Sequence, residues 1–321
     1  MKFSMVGLTE KKYNKILNGQ EKLIKKLEAQ LHRMNSMSGR SGSSKTALFV
    51  SDMHVGSSLA LAPRHPYNSE NDVEIKPNRV MSKLTDIWEY CIDHISQKPN
   101  VLGMVGEPMD GDNFKQVGQQ SWSTSYIDQV NASSELLKMW KAPNIIMVRG
   151  SGYHVQRGAT NFEELVARNI GAKRYRAYLP EDTTGVNERD TASITDYFAD
   201  FRINNKVFNM SHHIGYSKNE MYRTTGMARE LVTMRLSTGL YNKADVVVRG
   251  HVHYFVRVSF THTSGFTCPA WKLPDAHLFR GGVGGTKPDI GVVECIVEPN
   301  ESVLIRPIIV ETDLKPLIKD F

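Results

Sequence analysis

Six of the eleven histidines and three carboxylates of this sequence fall in five short polar clusters. These are Asp52-Met53-His54, Gly106-Glu107-Pro108-Met109-Asp110-Gly111, Gly150-Ser151-Gly152-Tyr153-His154, Ser211-His212-His213 and Gly250-His251-Val252-His253. Imidazoles and carboxylates without thiolates suit hard or borderline divalent cations such as manganese, iron or zinc, rather than a thiolate zinc site. Two such cations roughly 3.5–4 Å apart, with a carboxylate bridging them, can clamp the attacking and leaving oxygens of a phosphoryl displacement. Residues two apart, Asp52/His54 and His251/His253, can each supply two ligands where the backbone bends. Flanking glycines let the chain turn sharply enough to do so. Arg149 and Arg249, beside the third and fifth clusters, are positioned to meet a substrate phosphate.

Each cluster directly follows an apolar run: Thr46–Val50, Val101–Val105, Asn144–Val148, Val207–Met210 and Val246–Val248. These runs read as strands, and in layered α/β folds ligands bind beyond the carboxyl ends of strands. Helical spacing of apolar residues predicts helices over 77–95, 126–140 and 221–240. A hairpin is expected from Phe198–Ile203 to Val207–Met210 across Asn204-Asn205, and the C-terminal third is β-rich. Residues 157–195 read as an irregular polar insert beside the cleft. The whole pattern is that of an α/β layered fold. Arg280–Gly285 is glycine-rich but lacks the following helix and Lys-Ser/Thr of a phosphate cradle, so it reads as a loop.

In order and spacing, D-x-H, G-E-x-x-D-G, G-S-G-Y-H, H-H and G-H-V-H resemble the five motifs of the calcineurin-like metallophosphoesterases: D-x-H, G-D-x-x-D, G-N-H, H and G-H-x-H. That resemblance covers residues 46 to about 255 and implies a layered α/β sandwich of mixed β-sheets flanked by helices. It also implies two divalent metal ions, manganese first, with iron, zinc or nickel as alternatives. Asp52, His54, a bridging Glu107 and His253 would hold one ion; Glu107, His212, His251 and the residue at the Asn position the other. His154 would protonate the leaving oxygen, and Asp110 would orient His154. Two departures stand out. Glu107 is one methylene longer than the family's aspartate, so the bridge needs a retracted strand end or another carboxylate geometry. Ser151 replaces the metal-binding asparagine, in a loop two residues longer, so the second ion is bound weakly or is completed by water or His213. The G-S-G-Y-H variant resembles that of bacteriophage-encoded members.

The resemblance therefore implies a phosphoesterase that attacks phosphorus with a metal-bridging hydroxide. A phosphodiesterase or nuclease acting on nucleic acid or nucleotides is the first reading. A phosphomonoesterase acting on phosphoproteins or metabolites, and a catalytically impaired structural or docking member, are the alternatives.

Charge bears on that choice. The formal net charge is +6, but residues 1–46 hold ten Lys/Arg against three acids, and the rest of the chain sums to −1. Residues 9–35 are expected to form a basic helix, with Leu17, Ile24 and Leu31 repeating every seven; Ser36 to Lys45 then reads as a flexible Gly/Ser linker. Lysines on such a tethered helix can add phosphate contacts to DNA or RNA, or the helix can serve oligomerisation. Cys91, Cys268 and Cys295 are too few and too scattered for a disulfide frame, which places the chain in a reducing, cytoplasmic compartment: the host cytoplasm, or a virion if phage-encoded. No apolar run approaches the about 20 residues of a membrane span. The apolar stretch after Lys2 is too short for a secretory signal.

Overall fold

Along strand β1 (Lys45–Val50), successive side chains face opposite ways. Ala47 and Phe49 enter one apolar cluster and Leu48 and Val50 another. The same alternation runs through the computed structural model, which describes residues 43–113, 118–173, 194–217, 219–236, 243–276, 287–300 and 302–314. The expected basic helix, most of the linker and the Arg280–Gly285 run lie outside the described residues.

A short ribbon, β2 (Tyr67–Asn68) and β3 (Val73–Glu74), leads to helix α1 (Arg79–His94), β4 (Val101–Val105), α2 (Tyr126–Lys138) and β5 (Asn144–Val148). A helical turn α3 (Gly152–Val155), a second ribbon of β6 (Gln156–Arg157) and β7 (Thr160–Asn161), and α4 (Phe162–Asn169) follow. Next come the hairpin β8 (Phe198–Ile203) and β9 (Lys206–Ser211), α5 (Arg223–Leu236) and β10 (Val246–Arg249). The chain continues through β11 (Arg257–Phe260), β12 (Thr263–Thr267), β13 (Gly291–Val297) and β14 (Val303–Ile309).

Two five-stranded mixed sheets result, in the orders β14-β13-β1-β4-β5 and β11-β12-β10-β9-β8. Within the first, β1, β4 and β5 run parallel; within the second, β9, β10 and β12 do. Their facing sides share one core, in which Phe49 stacks on Phe208 at 5.9 Å and meets Phe266 edge-on at 5.6 Å. Outside the first sheet, Leu48, Leu102 and Met147 pack with Trp88 of α1, Leu137 of α2 and Val166 of α4. Outside the second, Val247 packs with Met227, Leu231 and Met234 of α5. The architecture is thus an α/β/β/α sandwich, the layered mixed-sheet class expected. Among the described residues no helix is long and apolar enough to cross a membrane.

Element boundaries moved where capping decides them. Helix α1 starts after Asn78, whose side chain accepts the Met81 N–H at 2.9 Å, rather than at Pro77. Strand β1 begins at Lys45, inside the segment expected to be linker. The larger correction concerns 157–195. Helix α4 starts there behind an Asn161 cap, and Val166 and Ala167 enter the core against the first sheet. This part of the expected insert is core, because Phe162 and Leu165 pack beside Val166 and Ala167, with Phe162 stacked on Tyr126 of α2. Residues 174–193 lie outside the description.

Candidate metal centre

All five clusters sit just past the carboxyl ends of β1, β4, β5, β9 and β10, three from one sheet and two from the other. Leaving a strand and turning a side chain back across the sheet edge takes unusual backbone. Asp52, His54, Glu107, His251 and His253 all have positive φ, between 48° and 73°. For residues with a Cβ this conformation costs on the order of 1–3 kcal/mol each, and it persists where the surroundings enforce it and function uses it. The loops brace one another: the Asp52 N–H donates to the Gly106 carbonyl at 3.2 Å and the His54 N–H to the Glu107 carbonyl at 3.1 Å. Gly106 is required here, since a Cβ on it would lie 2.7 Å from His212 Nδ1.

The side chains then converge. Glu107 Oε2 lies 3.1 Å from His54 Nε2, and Glu107 Oε1 lies 3.3 Å from His212 Nε2, so one carboxylate faces an imidazole from each sheet. His253 Nε2 is 3.2 Å from Asp52 Oδ1 and 3.2 Å from His54 Nε2. Asp52, His54, Glu107 and His253 form one group able to hold a cation, and His212, His213 and His251 another. Each inner imidazole is oriented from behind. His54 Nδ1 sits 3.0 Å from Asp110 Oδ1, and His212 Nδ1 donates to the Val105 carbonyl at 2.7 Å, which fixes Nε2 toward the centre. Asp52 Oδ2 accepts the His251 N–H at 3.0 Å and the Ser51 hydroxyl.

Two buried atoms at the centre, Asp52 Oδ1 and His212 Nε2, have no hydrogen-bond partner. Burying such groups unpaired is costly. Carboxylate oxygens and imidazole nitrogens converging on unsatisfied positions fit a divalent cation of the manganese, iron, zinc or nickel kind.

Electrostatics agree. Burial disfavours charge on His212, but Glu107 and Asp52 outweigh it and push its pKa up to about 10. Burial and the Lys272 ammonium oppose charge on His54, yet its bonds to Asp110 and Glu107 raise it to about 9. Burial would raise Asp52, but His212 and His253 hold it down at about 2. Below pH 9 the metal-free centre therefore carries protons on both histidines, and ligation must expel them. Manganese or zinc binding is expected to release up to two protons from this pair near neutral pH, with affinity rising as pH rises. Calorimetry in buffers of different ionisation enthalpy measures this; a release of zero would contradict it.

No family model matches this chain, and no curated protein does. Among solved structures, vacuolar protein sorting 29 from Cryptosporidium parvum is 10% identical, overlapping 84% of this chain and 100% of its own with a TM-score of 0.39. A novel archaeal phosphodiesterase is 14% identical over 83% of this chain and 99% of its own, at a TM-score of 0.37. A predicted phosphoesterase from Streptococcus pneumoniae is 8% identical over 84% and 100%, at 0.33. Likenesses at this level leave function to the chain's own residues.

Other expected residues are placed differently. Asp110 turns its carboxylate to His54 and to Lys272, at 3.0 and 2.8 Å; His154 Nδ1 instead donates to the Asp110 main-chain carbonyl at 2.9 Å, with the carboxylate at 3.4 Å. Ser151 gives its N–H to Glu107 Oε1 at 3.1 Å, while its hydroxyl lies 3.5 Å from His213 Nε2. Arg149 donates to the Thr195 hydroxyl at 3.1 Å and its guanidinium lies over the Tyr197 ring. Arg249 corrects the sequence reading outright. It is 1% exposed, and its guanidinium holds Glu230 Oε2 at 2.9 Å and the Val248 carbonyl at 2.8 Å. Strand alternation explains this: Arg249 shares the face of Val247, which looks onto α5. Arg249→Ala is expected to lower stability by about 2 kcal/mol with KM unchanged, because it empties a packed buried site and removes the bond to the Val248 carbonyl, while Glu230, one-third exposed, can be hydrated. A raised KM at unchanged melting temperature would restore the substrate role.

Two functional residues were missed. Glu163, fully buried at the start of α4, accepts the Glu107 N–H at 3.0 Å and the Gly150 N–H at 2.9 Å, tying two ligand loops together. Burial raises its pKa to about 7, and the Gly150 bond only partly offsets that. Its one sequence signal is the Asn161 cap two residues earlier. Lys272, 5% exposed, anchors Asp110 and Asp275, and nothing in the sequence marks it.

Proposed function

We propose that this protein is a calcineurin-like, metal-dependent phosphoesterase acting on phosphodiesters of nucleic acid or nucleotides. The observation that carries the reading is Glu107, whose two oxygens face His54 from one sheet and His212 from the other, beside the buried Asp52 Oδ1 with His253 Nε2 at 3.2 Å. Asp52, His54, Glu107 and His253 would hold one divalent cation, and Glu107, His212 and His251 a second. Such cations supply water acidified to near neutral pH and positive charge for the ester phosphate.

The chain's residues supply the rest. His154 keeps Nδ1 on the Asp110 carbonyl, which leaves Nε2 to pass a proton to the departing alkoxide. Burial lowers the His154 pKa, so a proton held there is readily given up. Lys272 keeps Asp110 ionised, and Asp110 keeps His54 turned inward. The N-terminal surplus of ten Lys/Arg over three acids supports a nucleic-acid substrate, since each lysine near a phosphate adds salt-dependent affinity.

The test is hydrolysis of bis-p-nitrophenyl and mono-p-nitrophenyl phosphate with added manganese, for the wild type and Asp52→Ala. Diester turnover exceeding monoester turnover, and abolished in the variant, is expected. Monoester preference would favour a phosphatase. Ser151 at the asparagine position favours a docking role, which equal background from both proteins would support.

A further inference from the structure

The second cation pocket differs chemically from the first. One pocket offers two carboxylates and two imidazoles, Asp52, Glu107, His54 and His253. The other gathers three imidazoles, His212, His213 and His251, whose ligand atoms all lie within 4.8 Å of one another. Their rings make a nearly equilateral triangle, with centroids 4.9 Å apart for His212–His213 and 5.1 Å for both His212–His251 and His213–His251. His212 anchors the triangle: it is fully buried, its Nδ1 is fixed by the Val105 carbonyl, and its Nε2 is thereby turned toward the centre, 3.3 Å from Glu107 Oε1.

Ser151 is badly suited to finish this pocket. Its N–H is engaged with Glu107, and its hydroxyl reaches toward His213 Nε2 at 3.5 Å, as a group supporting that ring would. We propose that His213 takes the place of the missing amide ligand, and that His212, His213 and His251 form a three-imidazole pocket for a borderline dication of the zinc, cobalt or nickel class. The inference rests on the proposed function above and revises, for this half of the site, the manganese-first expectation that the sequence resemblance implied. Even with Glu107 shared between the two, three imidazole nitrogens to one carboxylate favour zinc, cobalt or nickel, whereas the two-carboxylate pocket accepts the harder manganese. The centre is thus asymmetric, with a cation of different class on either side of Glu107.

Cobalt provides the probe. Full-length protein stripped with chelator would be titrated with Co²⁺, reading bound metal by elemental analysis and coordination by visible absorption. The wild type is expected to bind two ions per chain. His213→Ala should weaken one of them by more than about 100-fold, the upper range for loss of a mere outer partner, and change its absorption bands. His253→Ala should instead lose the other ion and keep those bands. His213→Asn, which restores an amide oxygen, should bind two ions but lose the preference for zinc over manganese at one of them. Two ions bound to His213→Ala with unchanged affinity and spectrum would overturn the ligand assignment and leave the metal centre standing. An unchanged zinc preference in His213→Asn would overturn it too. No cobalt bound by the wild type would overturn the metal centre itself, and this pocket with it.

Discussion

Glu107→Ala is expected to abolish metal-dependent hydrolysis, with a loss of at least about 10³-fold, and to weaken both cations together. Loss of a positioned electrostatic group at a reacting centre costs about 10²–10³ in rate. Here one carboxylate would serve both proposed cations, its oxygens lying 3.1 Å from His54 Nε2 and 3.3 Å from His212 Nε2. The sharper variant is Glu107→Asp, which restores the residue of the family resemblance. It should remain impaired by about 100-fold, since a 1 Å misplacement alone can cost that much. The backbone at Glu107 is held by Glu163 and by a positive φ of 56°, so an aspartate there cannot advance to recover the lost methylene. Initial rates and metal content of the two variants check this. Wild-type activity in Glu107→Asp would show that the bridging position tolerates retreat.

His154→Ala should produce a large effect of a different kind. A positioned general acid contributes about 10²–10⁴ in rate when the leaving group needs a proton. An alkyl or ribose oxygen needs one; p-nitrophenolate does not. The variant is therefore expected to lose about 10²-fold or more on an alkyl or dinucleotide diester while keeping most of its turnover on bis-p-nitrophenyl phosphate. Metal content should not change, because Nδ1 rests on the Asp110 main-chain carbonyl. Equal losses on both substrates would assign His154 to ground-state binding or to the metal centre instead.

How much of this was readable in advance follows from where each signal lives. Asp52, His54, Glu107, His212, His251 and His253 were legible because each lies a few residues past an apolar strand, and strand ends in a layered fold point to one edge. That all of these but His212 turn back through positive φ was legible only in the neighbouring glycines, such as Gly106 and Gly250. Arg249 was misread because its position beside a motif suggested substrate, while its fate was set by strand parity and by Glu230 on a distant helix. Glu163 was hidden in a polar stretch, where a short helix of eight residues offers few apolar positions, Phe162, Leu165, Val166 and Ala167, to mark it. Lys272 is brought to Asp110 by the return of the chain after β12, where the Trp271 N–H bonds the Asp52 carbonyl at 2.9 Å. Such long-range pairings carry no local pattern. The division of labour around Asp110 was likewise set by tertiary contacts: its carboxylate went to His54 and Lys272, leaving His154 to the main chain.

Anomalous diffraction from crystals grown with manganese and zinc tests the central claim most directly. Peaks are predicted on both sides of the Glu107 carboxylate, one among Asp52, His54 and His253 and one among His212 and His251. Clear density for these side chains with no anomalous signal between them would contradict the account.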